Sequence, residues 1–409
     1  MKVIVALQQH FYRISSGLIY PDGYANYEFF RRYLEVFDQV IVFARLREVT
    51  ELANIQRQPA ASGPGVLFSP LPDFLGPWQF FCKYVQLQKI AKHALDCQAA
   101  CILRVPGVVG TLLAKDLNKI RRPFALEVVG DPWDSLAPGS VKSSFRAAIR
   151  RKEQKNLKMQ CQRAVACAYV TESGLQKRYP PGGWSTHYSS VELSPCDVID
   201  QTLIERRLKR IEHKRRNNET WRIVFIGTLS QLYKAPDVLI RSVGRCLQKG
   251  LNLGLVLIGD GQFRVKLEQQ VEKLGLEDKV TFIGSLPAGA AIYQQLDMSD
   301  LYVLPSRQEG LPRSVIEAMA RGLPCIGSHV GGFPELLEDR YRVSPNDFEA
   351  LANKITEVLT DNTLMVKAVR RNVAVADRYR SDVLAQRRTA FYRYVKKHTE
   401  QWMIASSGS

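Results

Sequence analysis

The sequence predicts two doubly wound α/β domains in tandem, and three observations predict it. Its 409 residues exceed one ordinary hydrophobic core and suit two domains of roughly 150 to 200 residues each. Short apolar runs rich in β-branched residues alternate with longer helix-like stretches. This is the pattern of a parallel sheet covered by helices on both faces. The alternation stops near residue 190 and restarts at residue 221.

In the first half, VIVAL (3–7), QVIVFAR (39–45), ACILRV (100–105) and FALEVVG (124–130) read as buried strands. YANYEFFRRYLEVF (24–37) and FCKYVQLQKIAKHAL (81–95) read as helices between them. The stretch VIDQTLIERRLKRIEHKRRNNET (198–220) is polar and strongly basic and reads as a connector. Beyond it, WRIVFIG (221–227), LGLVLIG (253–259), KVTFIG (279–284), DLYVLP (300–305) and PCIGS (324–328) are strands. PDVLIRSVGRCLQKG, FRVKLEQQVEKLG and PRSVIEAMARG are the helices between them, each closing on a glycine, the usual stop signal. The expected organisation is a first domain at 1–197, the basic connector at 198–220 and a second domain at 221–378. A basic helix at 379–409 is expected to pack back on the first domain.

Hydrophobic content of 45% and charged content of 24% are those of a globular chain. The formal net charge of +17 favours anionic partners: nucleic acid, anionic lipid or phosphorylated small molecules. Eight cysteines are scattered without metal-ligand or disulfide-framework spacing, which suggests reduced thiols in a cytoplasmic protein. The apolar run at the N-terminus is too short for a signal peptide. No later stretch has the 18 or so apolar residues that a membrane span needs.

Three βα loops of the second half are suited to phosphate. In IGTLSQLYKAPDVLI, Gly227 follows a strand and Lys234 sits beside a helix start, a plausible diphosphate cradle or a plain loop with a surface lysine. In IGDGQFR, Gly259 and Gly261 open a helix, but Arg264 occupies the third glycine position of a dinucleotide fingerprint, so a tight turn explains them equally well. In SHVGGFPELLE, Gly331 and Gly332 permit close backbone approach, and Pro334 suits a first helical turn.

Between the last two loops lies SRQEGLPRSVIEAMARGLP (306–324). Pro312 cannot occupy a helix interior, so the helix is expected from about Pro312 to Arg321, with Gly322 as its stop. Glu309 is then on the strand-end loop and Glu317 on the helix, about a turn and a half in. The two carboxylates reach a ligand from different elements, or they are ordinary solvated side chains.

The order of these features on one chain resembles the family 4 glycosyltransferases over roughly 221–340. These are retaining enzymes of the GT-B fold, two Rossmann-like domains facing a central cleft. The segments YPDGYANYEFFRRYLEVFDQVIVFAR, LRVPG and LEVVGDPWD resemble a subgroup of bacterial surface polysaccharide assembly. The resemblance implies a nucleotide-diphosphate sugar as donor, a glycan or lipid-linked acceptor, and neither cofactor nor metal. By position, Glu309 would face the donor sugar hydroxyls, Glu317 the nucleotide ribose, and Lys234 the departing diphosphate. Gly227, Thr228, Gly259, Gly261, Gly310, Leu311 and Gly332 would line the donor site. Gly17, Gly23, Arg104 and Asp131 would line the acceptor side. Two departures stand out. The family commonly has an arginine where this chain has Thr228; either Arg307 or Arg313 supplies that charge, or the site binds diphosphate less strongly. The first-domain loop GDPWD lacks the family's histidine.

Residues 142–163 carry eight Lys or Arg against one acid, Glu153, and residues 206–216 carry seven more. Upstream, FLGPWQFFCKY (74–84) clusters Phe74, Trp78, Phe80, Phe81 and Tyr84. Together these suggest peripheral contact with an anionic membrane; a solvated helix face and a buried aromatic helix start are the plainer alternative. No nucleic-acid-binding module is recognised. Two other function classes remain beside the transferase reading: a non-catalytic nucleotide-sugar-binding scaffold, and a nicotinamide dehydrogenase, which lacks a complete glycine fingerprint.

Overall fold

The computed structural model describes residues 1–50, 59–136, 145–189, 191 and 193–407. It contains two compact units, one of Met1–Tyr188 with Gln386–Ser409, the other of Ser189–Ala385.

In the first unit, eight strands form one sheet: β1 (Lys2–Arg13), β2 (Ile19–Pro21), β3 (Gln39–Glu48), β4 (Val66–Pro72), β5 (Ala99–Val105), β6 (Ala125–Val128), β7 (Ala166–Tyr169) and β8 (Trp184–His187). Their order is β4-β3-β1-β5-β6-β7-β8, all parallel, with β2 pairing antiparallel to the end of β1. β5, β6 and β7 are buried at every residue, because helices cover both faces of a parallel sheet.

In the second unit, β9 (Trp221–Ile226), β10 (Leu253–Ile258), β11 (Val280–Gly284), β12 (Leu301–Leu304), β13 (Cys325–Ser328) and β14 (Arg342–Val343) form a parallel sheet ordered β11-β10-β9-β12-β13-β14. The helices Pro236–Gln248, Arg264–Lys273 and Arg313–Ala320 lie where the apolar spacing placed them. The glycines that stop them, Gly250, Gly275 and Gly322, have φ of +85°, +64° and +68°.

The stretch read as a connector is corrected by the structure. Residues Gln201–Arg216 form a helix of the second unit, with Ile204, Arg207 and Ile211 buried and Asp200 capping the Leu203 N–H. Three of its cations have internal partners. Arg207 donates to the Ser299 carbonyl at 2.8 Å and Arg210 to the Asp297 carbonyl at 2.7 Å, closing the carboxyl end of the helix Ala290–Asp297. Arg210 and Lys214 also flank Asp300, which is 1% exposed, at 2.7 and 2.8 Å. Burial pulls the Arg207 guanidinium down to about 10, helped by Arg210. Part of the basic run is thus an internal brace, while Arg206, Lys209 and Arg216 are exposed.

The C-terminal helix spans Ser381–Ser407, and from Gln386 onward it belongs to the first unit. There Tyr392 stacks on Tyr33 with ring centroids 4.6 Å apart, and Lys396 donates to the Val36 carbonyl at 3.0 Å. Among the eight free cysteines, Cys101, Cys161, Cys167, Cys246 and Cys325 are buried, whereas Cys82 and Cys196 are exposed. Lys142 of the basic run lies outside the described residues.

Candidate functional site

In the second sheet the strand order reverses between β9 and β12. The chain runs outward from β9 to β11 and then returns to the other side of β9. Open α/β sheets bind ligands at the carboxyl ends of the strands at such a reversal. The loops that leave β9 and β12 there are 227–235 and 305–312, which carry Lys234 and Glu309.

These two side chains meet. Lys234 Nζ donates to Glu309 Oε1 at 2.8 Å, and the pair is largely enclosed, 15% and 9% exposed. Gly227 makes the approach possible: a Cβ there would lie 2.4 Å from Lys234 Cδ, so the lysine stem crosses the strand end where a side chain is missing. Lys234 ends a short 3-10 turn, Leu232–Lys234, followed by Ala235 at φ +55° and then by the helix Pro236–Gln248. A buried alanine in the left-handed region costs on the order of 1 kcal/mol and fixes the angle at which turn and helix meet.

Pro312 is extended (φ −74°, ψ 104°) and the helix begins at Arg313, so Glu309 is on the loop that precedes it. Ser306 Oγ gives Glu309 a second donor at 2.9 Å. The loop after β13 holds this one in place. Gly332 N–H donates to the Gly310 carbonyl at 2.6 Å, and Gly331, at φ +52°, sits so close that a Cβ would fall 1.9 Å from the Glu309 carbonyl oxygen. Leu311 is part-buried against the core of this unit.

Glu317 is half-buried on the helix Arg313–Ala320. Among the described residues its carboxylate has no hydrogen-bond donor. Burial raises its pKa and Asp197 adds to this, while Arg313 opposes it. A carboxylate enclosed without donors suits ligand hydroxyl groups.

The charge expected from Arg307 is engaged elsewhere. Its guanidinium forks onto Asp237 at 2.9 and 2.7 Å, donates to Asn346 at 2.6 Å and reaches the Leu232 carbonyl. Its backbone N–H donates to the Tyr233 carbonyl at 2.7 Å. Arg307 therefore pins the Lys234 turn to the Glu309 loop. Arg313 is exposed. Thr228 is exposed, and its hydroxyl accepts from the Ser230 N–H at 3.1 Å. Gly259 and Gly261 serve loop packing, since a Cβ on them would fall 1.9 Å from Gly227 O and 2.1 Å from Ser230 N.

In the first unit the residues expected on an acceptor side have structural partners. Arg104 is buried, paired with Glu127 and bonded to Tyr24 Oη at 3.1 Å. Glu127 also accepts from the hydroxyls of Tyr33 at 2.9 Å, Tyr188 at 2.8 Å and Tyr392 at 3.3 Å. Burial opposes its ionisation, yet Arg104 and the hydroxyl groups hold its pKa below the ordinary value. Asp131 caps the turn Pro132–Ser135 by accepting from Trp133 N–H at 2.8 Å, and it also accepts from Tyr179 and Arg178. Gly17 is exposed at φ +84°, and a Cβ on Gly23 would lie 3.2 Å from the Gln9 side chain. Glu127 escaped the sequence reading, although a lone Glu in an apolar strand beside a strand with a lone Arg was a usable signal.

Chemically, the second unit holds a fixed cation, an enclosed carboxylate and a donor-poor second carboxylate along one sheet edge. A lysine fixed beside a helix N-terminus stabilises negative charge that grows on a departing group. Among the described residues no group of three or more His, Cys, Asp and Glu is placed to hold a metal ion, and no helix is long and apolar enough to cross a membrane.

Residues 207–374 match the family described as glycosyl transferases group 1. Protein CapJ of Staphylococcus aureus is 25% identical over 384 residues, 92% of this chain and 93% of its own. The amylovoran biosynthesis glycosyltransferase AmsK of Erwinia amylovora is 30% identical over 169 residues, 39% of this chain and 41% of its own. Among solved structures, Anabaena Alr3699/HepE in complex with UDP-glucose superposes with a TM-score of 0.59 at 17% identity, covering 95% of this chain and 98% of its own.

Proposed function

We propose that this chain, a GT-B glycosyltransferase matched to group 1 over residues 207–374, is a retaining enzyme that moves a hexosyl group from a nucleotide-diphosphate donor to a glycan or lipid-linked acceptor in polysaccharide biosynthesis. The observation that carries this reading is the enclosed Lys234–Glu309 pair at the reversal of the second sheet. Lys234 neutralises the diphosphate as the bond to the sugar breaks. Glu309 holds sugar hydroxyls near the reacting carbon, and Glu317 takes the ribose hydroxyls. The UDP-glucose bound by HepE supports the donor class, and the name of AmsK supports the polysaccharide context. The reading includes metal-independent transfer and a peripheral contact of the basic first unit with an anionic membrane.

The test is a panel of nucleotide sugars. A correct donor raises the melting temperature and is turned over with release of nucleoside diphosphate. Glu309→Ala should lower that turnover by about 10²–10³-fold or more while the fold persists. Wild-type turnover in Glu309→Ala would sink the role given to Glu309. Stabilisation without turnover in the wild type would mark a non-catalytic nucleotide-sugar binder, the reading that Thr228 favours. The anomeric configuration of the product checks retention.

A further inference from the structure

The helix Gly76–Ala94 contains no acidic residue, and its inner face is held by the buried Leu87 and Ala91. Its outer face and the residue before it leave large apolar side chains in solvent: Leu75 is 61% exposed, Trp78 79%, Phe81 70% and Val85 66%. Their spacing of three, three and four residues keeps them on one stripe, which continues into the exposed Lys89 and Lys92. Four such residues in a row, unlike scattered single ones, form a patch that has a use.

The stripe belongs to a larger layer. Lys115 of the helix Val108–Lys119 donates to Tyr84 Oη at 3.2 Å, which ties that helix beside Gly76–Ala94. Gln160 of the helix Arg146–Arg163 donates to Thr111 Oγ1 at 3.1 Å and extends the layer by one more helix. That third helix exposes Arg151, Lys152, Lys155 and Lys158, with Phe145 75% exposed at its start. By contrast, the basic helix Gln201–Arg216 of the second unit turns Arg207, Arg210 and Lys214 onto internal partners.

We infer that this three-helix layer of the first unit docks on an anionic lipid surface: Leu75, Trp78, Phe81 and Val85 enter the interface, and the surrounding cations face lipid phosphates. The inference rests on the peripheral-contact reading above and assigns it to one face. Charge chooses the occupant. A second copy would bring cations against cations around the same patch, whereas an anionic bilayer matches both the apolar stripe and its basic surround.

The experiment uses the full chain and sedimentation with vesicles of phosphatidylglycerol and phosphatidylcholine, against vesicles of phosphatidylcholine alone. The wild type should pellet with the anionic vesicles. Trp78→Ser with Phe81→Ser, and separately Lys152→Glu with Lys155→Glu, should each weaken that binding by roughly tenfold with an unchanged melting temperature. Failure of the wild type to bind, or binding by both double variants as strong as that of the wild type, overturns the inference. So does self-association of the wild type that the Trp78/Phe81 variant loses, because the face then belongs to a second copy. Release of nucleoside diphosphate in vesicle-free solution, measured on the same samples, reports the transferase reading separately.

Discussion

Two buried charge clusters, one in each unit, are satisfied in opposite ways. In the first, Glu127 is saturated: one guanidinium and three tyrosine hydroxyls surround it, and it is 2% exposed. In the second, Lys234 and Glu309 have chiefly each other, and Glu317 lacks a donor among the described residues. A saturated charge holds a fold together and has nothing left for a ligand. An undersatisfied charge at a strand end costs stability and keeps its capacity for one. The donor role proposed for the second unit rests on this contrast.

The sharpest way to break the contrast is Glu127→Gln, which strands Arg104 without its counter-charge. Removing one partner of a buried pair costs about 3–5 kcal/mol, a fall in melting temperature of roughly 6–20 °C for a unit of this size. Calorimetry checks this, and a loss under about 1 kcal/mol would show that Glu127 is not a structural hub. Arg307→Lys acts on the second unit. It keeps the charge but loses the fork onto Asp237, so the Lys234 turn loosens. Donor KM should rise by roughly tenfold while the melting temperature changes little. An equal loss of stability and activity would reduce Arg307 to a plain brace.

The smallest expected effect concerns Glu317. Burial raises its pKa above the ordinary 4.5, so the folded chain binds that proton more tightly than the unfolded chain. Its ionisation therefore opposes folding progressively as pH rises through the window between the two values, and fully above it. Glu317→Gln should melt slightly higher than wild type at neutral pH and equally at pH values below the carboxylate range, while losing part of the stabilisation by nucleotide sugar. A lower melting temperature at neutral pH would mean that Glu317 has an internal partner and is no ligand hand.

Much of this was legible in the sequence. The strands of the second unit and the glycines that stop its helices follow from apolar period and stop signals, and Pro312 alone moved Glu309 off the helix. What escaped was partnership. Arg104 and Asp131 stand at strand ends where ligands bind, and nothing local says that Glu127 and Tyr179 already occupy them. Yet Arg104 and Glu127 are register partners across β5 and β6, and two lone opposite charges in adjoining apolar strands announce a buried pair. Residues 201–216 were misread because their basic composition masked a helical spacing of Ile204, Arg207, Leu208 and Ile211. Short or interrupted strands such as β4 and β8 have too little alternation to be seen.

The hydroxyl that Tyr392 donates to Glu127 spans 265 residues of chain. A ribosome delivers Met1–Tyr188 first, but that segment cannot close around Glu127 until Tyr392 has emerged. Ser189–Ala385 is contiguous and has every residue it needs before then. The half made first is thus the half finished last. The C-terminal helix brings the last of the Glu127 partners to be made.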